Sequence, residues 1–143
     1  MSQMASSLVI QLNTLVEKGD VEPIIFFQEY GKTVTQPNFA LMQQQNIWDF
    51  TGTIITTSPL FVETIENCPA AQQRFFYPFD LHWIYKQIDY KSLRTIYQND
   101  NVELIARSQW HYDILSIWKK PQLIINDFDN EELYKLCQLT NQN

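Results

Sequence analysis

The chain is poor in glycine. Only Gly19, Gly31 and Gly52 occur among 143 residues. Loops that cradle phosphate need clustered glycines, because the backbone itself must approach the anion closely. Neither the dinucleotide fingerprint nor the P-loop can be written here, and no serine sits in a Gly-x-Ser-x-Gly elbow. Classical NAD, ATP-hydrolysing and serine-hydrolase readings are therefore disfavoured. Cysteine and histidine are equally scarce. Cys68 and Cys137, with His82 and His111, make no zinc spacing and no redox pair. No metal and no cofactor is expected, and each thiol reads as a small apolar residue in a reducing cytoplasm. No apolar run approaches the roughly 20 residues of a membrane span, and no basic segment followed by an apolar one opens the chain. Basic residues are few as well, ten against sixteen acidic ones, for a net charge of −6. They are scattered, with Lys119-Lys120 the densest cluster, so neither nucleic acid nor an anionic membrane is an expected partner.

What is present is apolar and aromatic. Apolar residues make up 45 % and aromatics 14 %, which suits a single globular domain over 1–143. Leu8, Leu12, Leu15 and Val16 share one helical face, and Gly19 stands where a helix ends. "PIIFFQEY" reads as a buried strand over Ile24 to Phe27. From Gly31 to Phe50 the pattern fades into a long connection with a helical piece around Asn38 to Gln45.

A regular alternation follows. "GTIITTS", "RFFYPF", "VELIARS" and "PQLIIND" read as strands. Helices follow Ser58, Asp89, Ser108 and Asp129, each an N-cap type, and Pro59 stands at a first helical position. Glu132, three residues after Asp129, fits a capping box. Strand and helix alternating at this spacing predict parallel β-α units. The expected fold is α/β: one doubly wound, mostly parallel five-stranded Rossmann-like sheet with helices on both faces.

Ligand sites in such sheets lie at the carboxyl ends of the strands. That rule selects Gln28-Glu29, Thr57-Ser58, Asp80 to His82, Arg107-Ser108 and Asn126-Asp127. Asp80 and His82 read as an acid/base pair, or as a loop start in which Asp80 caps backbone groups. Arg107 and Ser108 read as an anion site at a helix start, or as a surface arginine beside an ordinary cap. His111 either points back to the same strand end or is a solvated helix residue, and the solvated reading is favoured. Asn126 to Asp129 suits turn and cap chemistry better than metal binding. Trp83 and Trp110 suit stacking on a ligand or an interface, while Trp118 reads as core.

Three stretches carry a family resemblance: "TIITTSPLFVETIEN", "RFFYPFDLHWI" and "VELIARSQWHYDILSIWKKPQLIINDFDNEEL". Over about Gly52 to Leu133 the chain resembles the acceptor-side Rossmann-like domain of GT-B-type glycosyltransferases, particularly short versions encoded by phages. In that family a strand ends in a serine, here Ser108, and a later strand leads to an Asn-containing turn, here Asn126 to Asp129. The resemblance implies a nucleotide-sugar or sugar acceptor at the strand ends. Asp80 or His82 would be the acceptor base, and Ser58, Trp83, Arg107, Ser108, His111 and Asn126 would bind substrate. It also implies the cytoplasm as location, that of the host cell if the chain is viral. The resemblance covers only that family's acceptor side, and it implies that a donor site would have to come from a partner. The alternative is a non-catalytic module that keeps the fold and binds a protein partner or a second copy of itself.

Overall fold

A computed structural model of the protein describes residues 3–19, 21–28, 35–78 and 89–141. The chain packs as two compact units. One comprises Met1–Phe50 with Asp127–Asn143, the other Thr51–Asn126.

The first unit holds α1 (Gln3–Glu17), β1 (Ile24–Phe27), β2 (Ala40–Gln43), a 3-10 turn at Gln44–Asp49 and α5 (Asn130–Asn141). α1 buries Val9 and Leu15 and ends as expected at Gly19. Gly19 takes a φ of +82°, as a helix-ending glycine does, and its N–H donates to the Val16 carbonyl at 3.0 Å. α1 packs on α5. The Gln11 side-chain oxygen accepts from both the backbone N–H and the side-chain amide of Asn130, at 3.2 and 2.7 Å. β1 and β2 form a two-stranded parallel pair, Ile24 opposite Ala40 through Phe27 opposite Gln43. The helical piece expected around residues 38–45 is thus a strand followed by a 3-10 turn. Ala, Leu, Met and Gln favour helix locally, and pairing with the β-branched and aromatic β1 overrides that preference.

The second unit holds β3 (Thr53–Thr56), α2 (Val62–Glu66), β4 (Gln73–Phe76), α3 (Tyr90–Tyr97), β5 (Glu103–Ala106), α4 (Gln109–Leu115) and β6 (Leu123–Ile124). Its strands make one four-stranded sheet in the order β3-β4-β5-β6, every pair parallel. The α/β class and the parallel strands are as expected from the sequence. Among the described residues, five strands in one doubly wound sheet are not found. β1 pairs elsewhere, and the strand order advances without a reversal.

That order has a physical consequence. Right-handed crossovers along a steadily advancing sheet deliver their helices to one face. Side chains alternate between faces along a strand. Register puts Ile54 beside Arg74, and Thr56 beside Phe76 and Leu104, on a common face. Arg74 on that face donates through Nε to the Ile65 carbonyl of α2 at 2.9 Å. Phe76 meets the ring of Tyr97 from α3 at 5.2 Å. Trp118, just after α4, stacks on the same Tyr97 at 6.1 Å. The opposite face carries Phe75, Tyr77, Ile105 and Ile125, all buried. Burial of both faces explains why these strands read as continuous apolar runs. Phe76 is 0 % exposed, a burial worth roughly 1.5–3 kcal/mol.

Candidate functional site

Four parallel strands running the same way bring their carboxyl ends to one edge of the second unit. Ser58, Pro78, Arg107-Ser108 and Ile125-Asn126 follow β3, β4, β5 and β6 in turn. Neighbouring strands lie about 4.8 Å apart, so Arg107 and Asn126 end adjacent strands, while Ser58 stands roughly 10 Å from Arg107 across β4. Asp80, His82 and Trp83 lie outside the described residues, as does Glu29. Gln28 follows β1 and so does not belong to this edge.

The hydroxyls of Thr56, Ser58 and Ser108 and the ring of His111 have structural work at this edge. At β3, the Thr56 hydroxyl donates to the Ser58 carbonyl at 3.1 Å and accepts the Ser58 N–H at 3.2 Å. The Ser58 hydroxyl accepts from the Leu60 N–H at 3.3 Å, with Pro59 next in the chain. This is the N-cap that the sequence predicts. At β4, the chain continues into Tyr77, whose N–H donates to the Thr56 carbonyl at 2.8 Å. The buried Tyr77 hydroxyl donates to the Ile125 carbonyl, joining the ends of β4 and β6 over the intervening β5.

The β5 end is the most tightly arranged. Ser108 is extended (φ −162°, ψ 169°) and its hydroxyl accepts from the His111 N–H at 3.1 Å. The His111 ring folds back, and its Nδ1 accepts the Arg107 N–H at 3.1 Å. His111 is 2 % exposed, so the solvated reading of this residue is corrected. An acceptor at Nδ1 leaves the proton of the neutral ring on Nε2. The arrangement resembles a capping box with histidine in place of Glu or Gln, reaching one residue further back. The Ser-x-x-His spacing was the available signal. The expectation of an anion at this helix start meets two obstacles. α4 has only seven residues, and the Arg107 and His111 amides already have acceptors.

At β6, the Ile125 N–H donates to the Ala106 carbonyl at 2.8 Å and Asn126 is exposed. Asp127 (φ 43°) and Phe128 (φ 60°) both lie in the left-handed region. For a buried phenylalanine that conformation is uncommon and costs about 1–3 kcal/mol. Asp129 then caps α5, its Oδ1 accepting from Glu131 and Glu132 N–H at 3.0 and 3.1 Å. Turn and cap chemistry therefore accounts for this acidic stretch. Among the described residues no group of three or more His, Cys, Asp or Glu is placed to hold a metal.

Two large apolar side chains stand exposed on the same edge. Leu60, in the turn after β3, is 78 % exposed, and Trp110, in the first turn of α4, is 65 % exposed. Sequence reasoning singled out Trp110 and missed Leu60, which looks like an ordinary inward position of an amphipathic helix.

Among the described residues no helix is long and apolar enough to cross a membrane. A scan of family models, a search of curated proteins and a search of solved structures each gave no match.

Proposed function

We propose that the chain is a non-catalytic interaction module, which associates through the carboxyl edge of its parallel sheet with a protein partner or a second copy of itself. One observation carries this reading: the described hydroxyls and the imidazole at the ends of β3 and β5 serve as caps. The hydroxyls of Ser58 and Ser108 and the Nδ1 of His111 each accept a backbone N–H. A nucleophile or base must instead present its lone pair to a substrate. Leu60 and Trp110 give the edge the exposed apolar and aromatic character that suits an interface.

The reading is tested by molar mass from light scattering over a range of concentrations. The wild type is expected to gain mass as concentration rises, and Leu60→Ser with Trp110→Ser to lose that gain. A strict monomer at all concentrations would count against self-association and leave a different protein as the partner.

The sugar-transfer reading is supported by the parallel β-α order, which aligns Ser58, Arg107, Ser108 and Asn126 on one edge. It requires Asp80 or His82 to act as base. Release of nucleotide from a panel of nucleotide-sugars, lost on Asp80→Asn, would overturn the non-catalytic reading in its favour.

A further inference from the structure

The second unit carries an open surface groove of about 600 Å³ in another part of its fold. Lys91, Arg94, Thr95 and Gln98 line one side. They recur at i, i+3, i+4 and i+7, a single stripe along α3. Trp118 and Lys119, after α4, and Asp100 complete the lining. Three of the chain's ten cations thus meet one carboxylate, a local charge of +2 in a protein of net charge −6.

The cations are held in different ways. The Lys119 Nζ donates to the Asn99 and Val102 carbonyls at 2.8 and 3.2 Å and lies 3.5 Å from the Glu103 carboxylate. It is a fixed charge in the wall, partly offset by Glu103. Arg94 donates through Nε to the Gln98 side-chain oxygen at 3.0 Å, and the Gln98 amide donates to the Trp118 carbonyl at 3.0 Å. Gln98 therefore ties the guanidinium to the Trp118 backbone. Among the described residues the terminal amines of Arg94 are left for another acceptor, and so is the ammonium of exposed Lys91, one turn away. A guanidinium fixed at one nitrogen and open at the others suits the bidentate binding of a phosphate.

Apart from Trp118, the rest of the lining is polar. The Thr95 hydroxyl donates to the Lys91 carbonyl at 3.0 Å and keeps lone pairs for an incoming donor. Asp100 repels an anion and accepts from hydroxyls. The geometry points to a binding site for a small phosphate monoester with a hydroxyl-bearing body, a sugar phosphate. The phosphate lies against Lys91 and Arg94, and the hydroxyls face Thr95 and Asp100. This site is separate from the carboxyl edge, and the proposal does not rest on the interaction-module reading.

The experiment is isothermal titration of the full chain with ribose 5-phosphate, ribose and inorganic phosphate. Ribose 5-phosphate is expected to bind at least tenfold more tightly than either of the others. The double variant Lys91→Gln, Arg94→Gln is expected to weaken it at least tenfold. Both side chains are exposed on α3, so the fold is retained, and a native far-ultraviolet spectrum checks this. Lys120→Gln, a neighbouring cation outside the lining, is expected to leave affinity unchanged. Three results overturn the proposal: no binding of ribose 5-phosphate at millimolar concentration, equal affinity for inorganic phosphate, or affinity unaltered in the double variant.

Discussion

His111 concentrates the chemistry of the second unit's edge in one side chain. Its ring is buried, and its Nδ1 is the acceptor for the Arg107 amide. His111→Ala removes that acceptor and leaves a half-buried N–H without its partner. The expected loss of stability is about 1–3 kcal/mol, read as a lower urea midpoint at unchanged slope. A loss within about 0.5 kcal/mol would mean that the ring is a passenger. Cys68 gives a second expectation at this scale. Its side chain is buried, burial pushes its thiol up, and its sulfur donates to the Thr64 carbonyl at 3.3 Å. Cys137 is pushed up for the same reason. Since the thiolate is the reactive form, both cysteines should label slowly with a thiol reagent in the native protein and fast in urea. Fast native labelling of Cys68 would contradict its placement. Neither feature was fully readable beforehand. The apolar role of the cysteines follows from their spacing, but the His111 partner is a backbone amide, which no residue type announces.

Among the elements, α2 is held at its carboxyl end from two sides. Arg74 of β4 donates to the Ile65 and Cys68 carbonyls. Glu66 accepts from the side-chain amides of Asn101 and Asn99, at 2.9 and 2.8 Å. Those two hydrogen bonds, Asn101 first, hold the Glu66 carboxyl below its ordinary value, and the Arg74 charge adds to them. A carboxyl depressed in the folded state stabilises above its unfolded pKa of about 4.3, and that contribution is lost as pH falls through the folded value. Glu66→Gln should therefore lower the urea midpoint at pH 7, and the gap to wild type should close towards pH 3. A gap independent of pH would show that the carboxylate charge is not what holds the two asparagines.

The four caps at Ser58, Asp89, Ser108 and Asp129 were legible in the sequence, and each accepts a backbone N–H as expected. Apolar runs located the five expected strands, and in β4 and β5 burial on both faces accounts for the lost alternation. β2 was not legible. "ALMQ" has no β-branched residue, and its strand form depends on a partner sixteen residues earlier in the chain. Such non-local pairing leaves no periodic mark.

At the scale of the whole molecule, strand order decides what the parallel sheet offers. A doubly wound sheet opens a crevice where its order reverses. The β3-β4-β5-β6 sheet has no reversal, so its carboxyl edge lacks that crevice. Order could not be read from the sequence, because each strand-helix unit looks alike whichever neighbour it joins. The candidate edge itself was legible in part: Ser58, Arg107, Ser108 and Asn126 do end parallel strands of one sheet. Ser58 and Ser108 act as caps, one of the two readings that polar residues at strand ends allow. Association through Leu60 and Trp110 belongs to this scale too. Mass that rises with concentration, and falls back in the double serine variant, is the expected behaviour.

The most direct test is residue-resolved: the backbone amide spectrum of the protein, titrated with a nucleotide-sugar to millimolar concentration. The amides of Leu60, Arg107 and His111, already bonded to Ser58, His111 and Ser108, are predicted to keep their positions throughout. Saturable shifts of these three together would show a ligand seated on the carboxyl edge and would contradict the reading of that edge as capping structure.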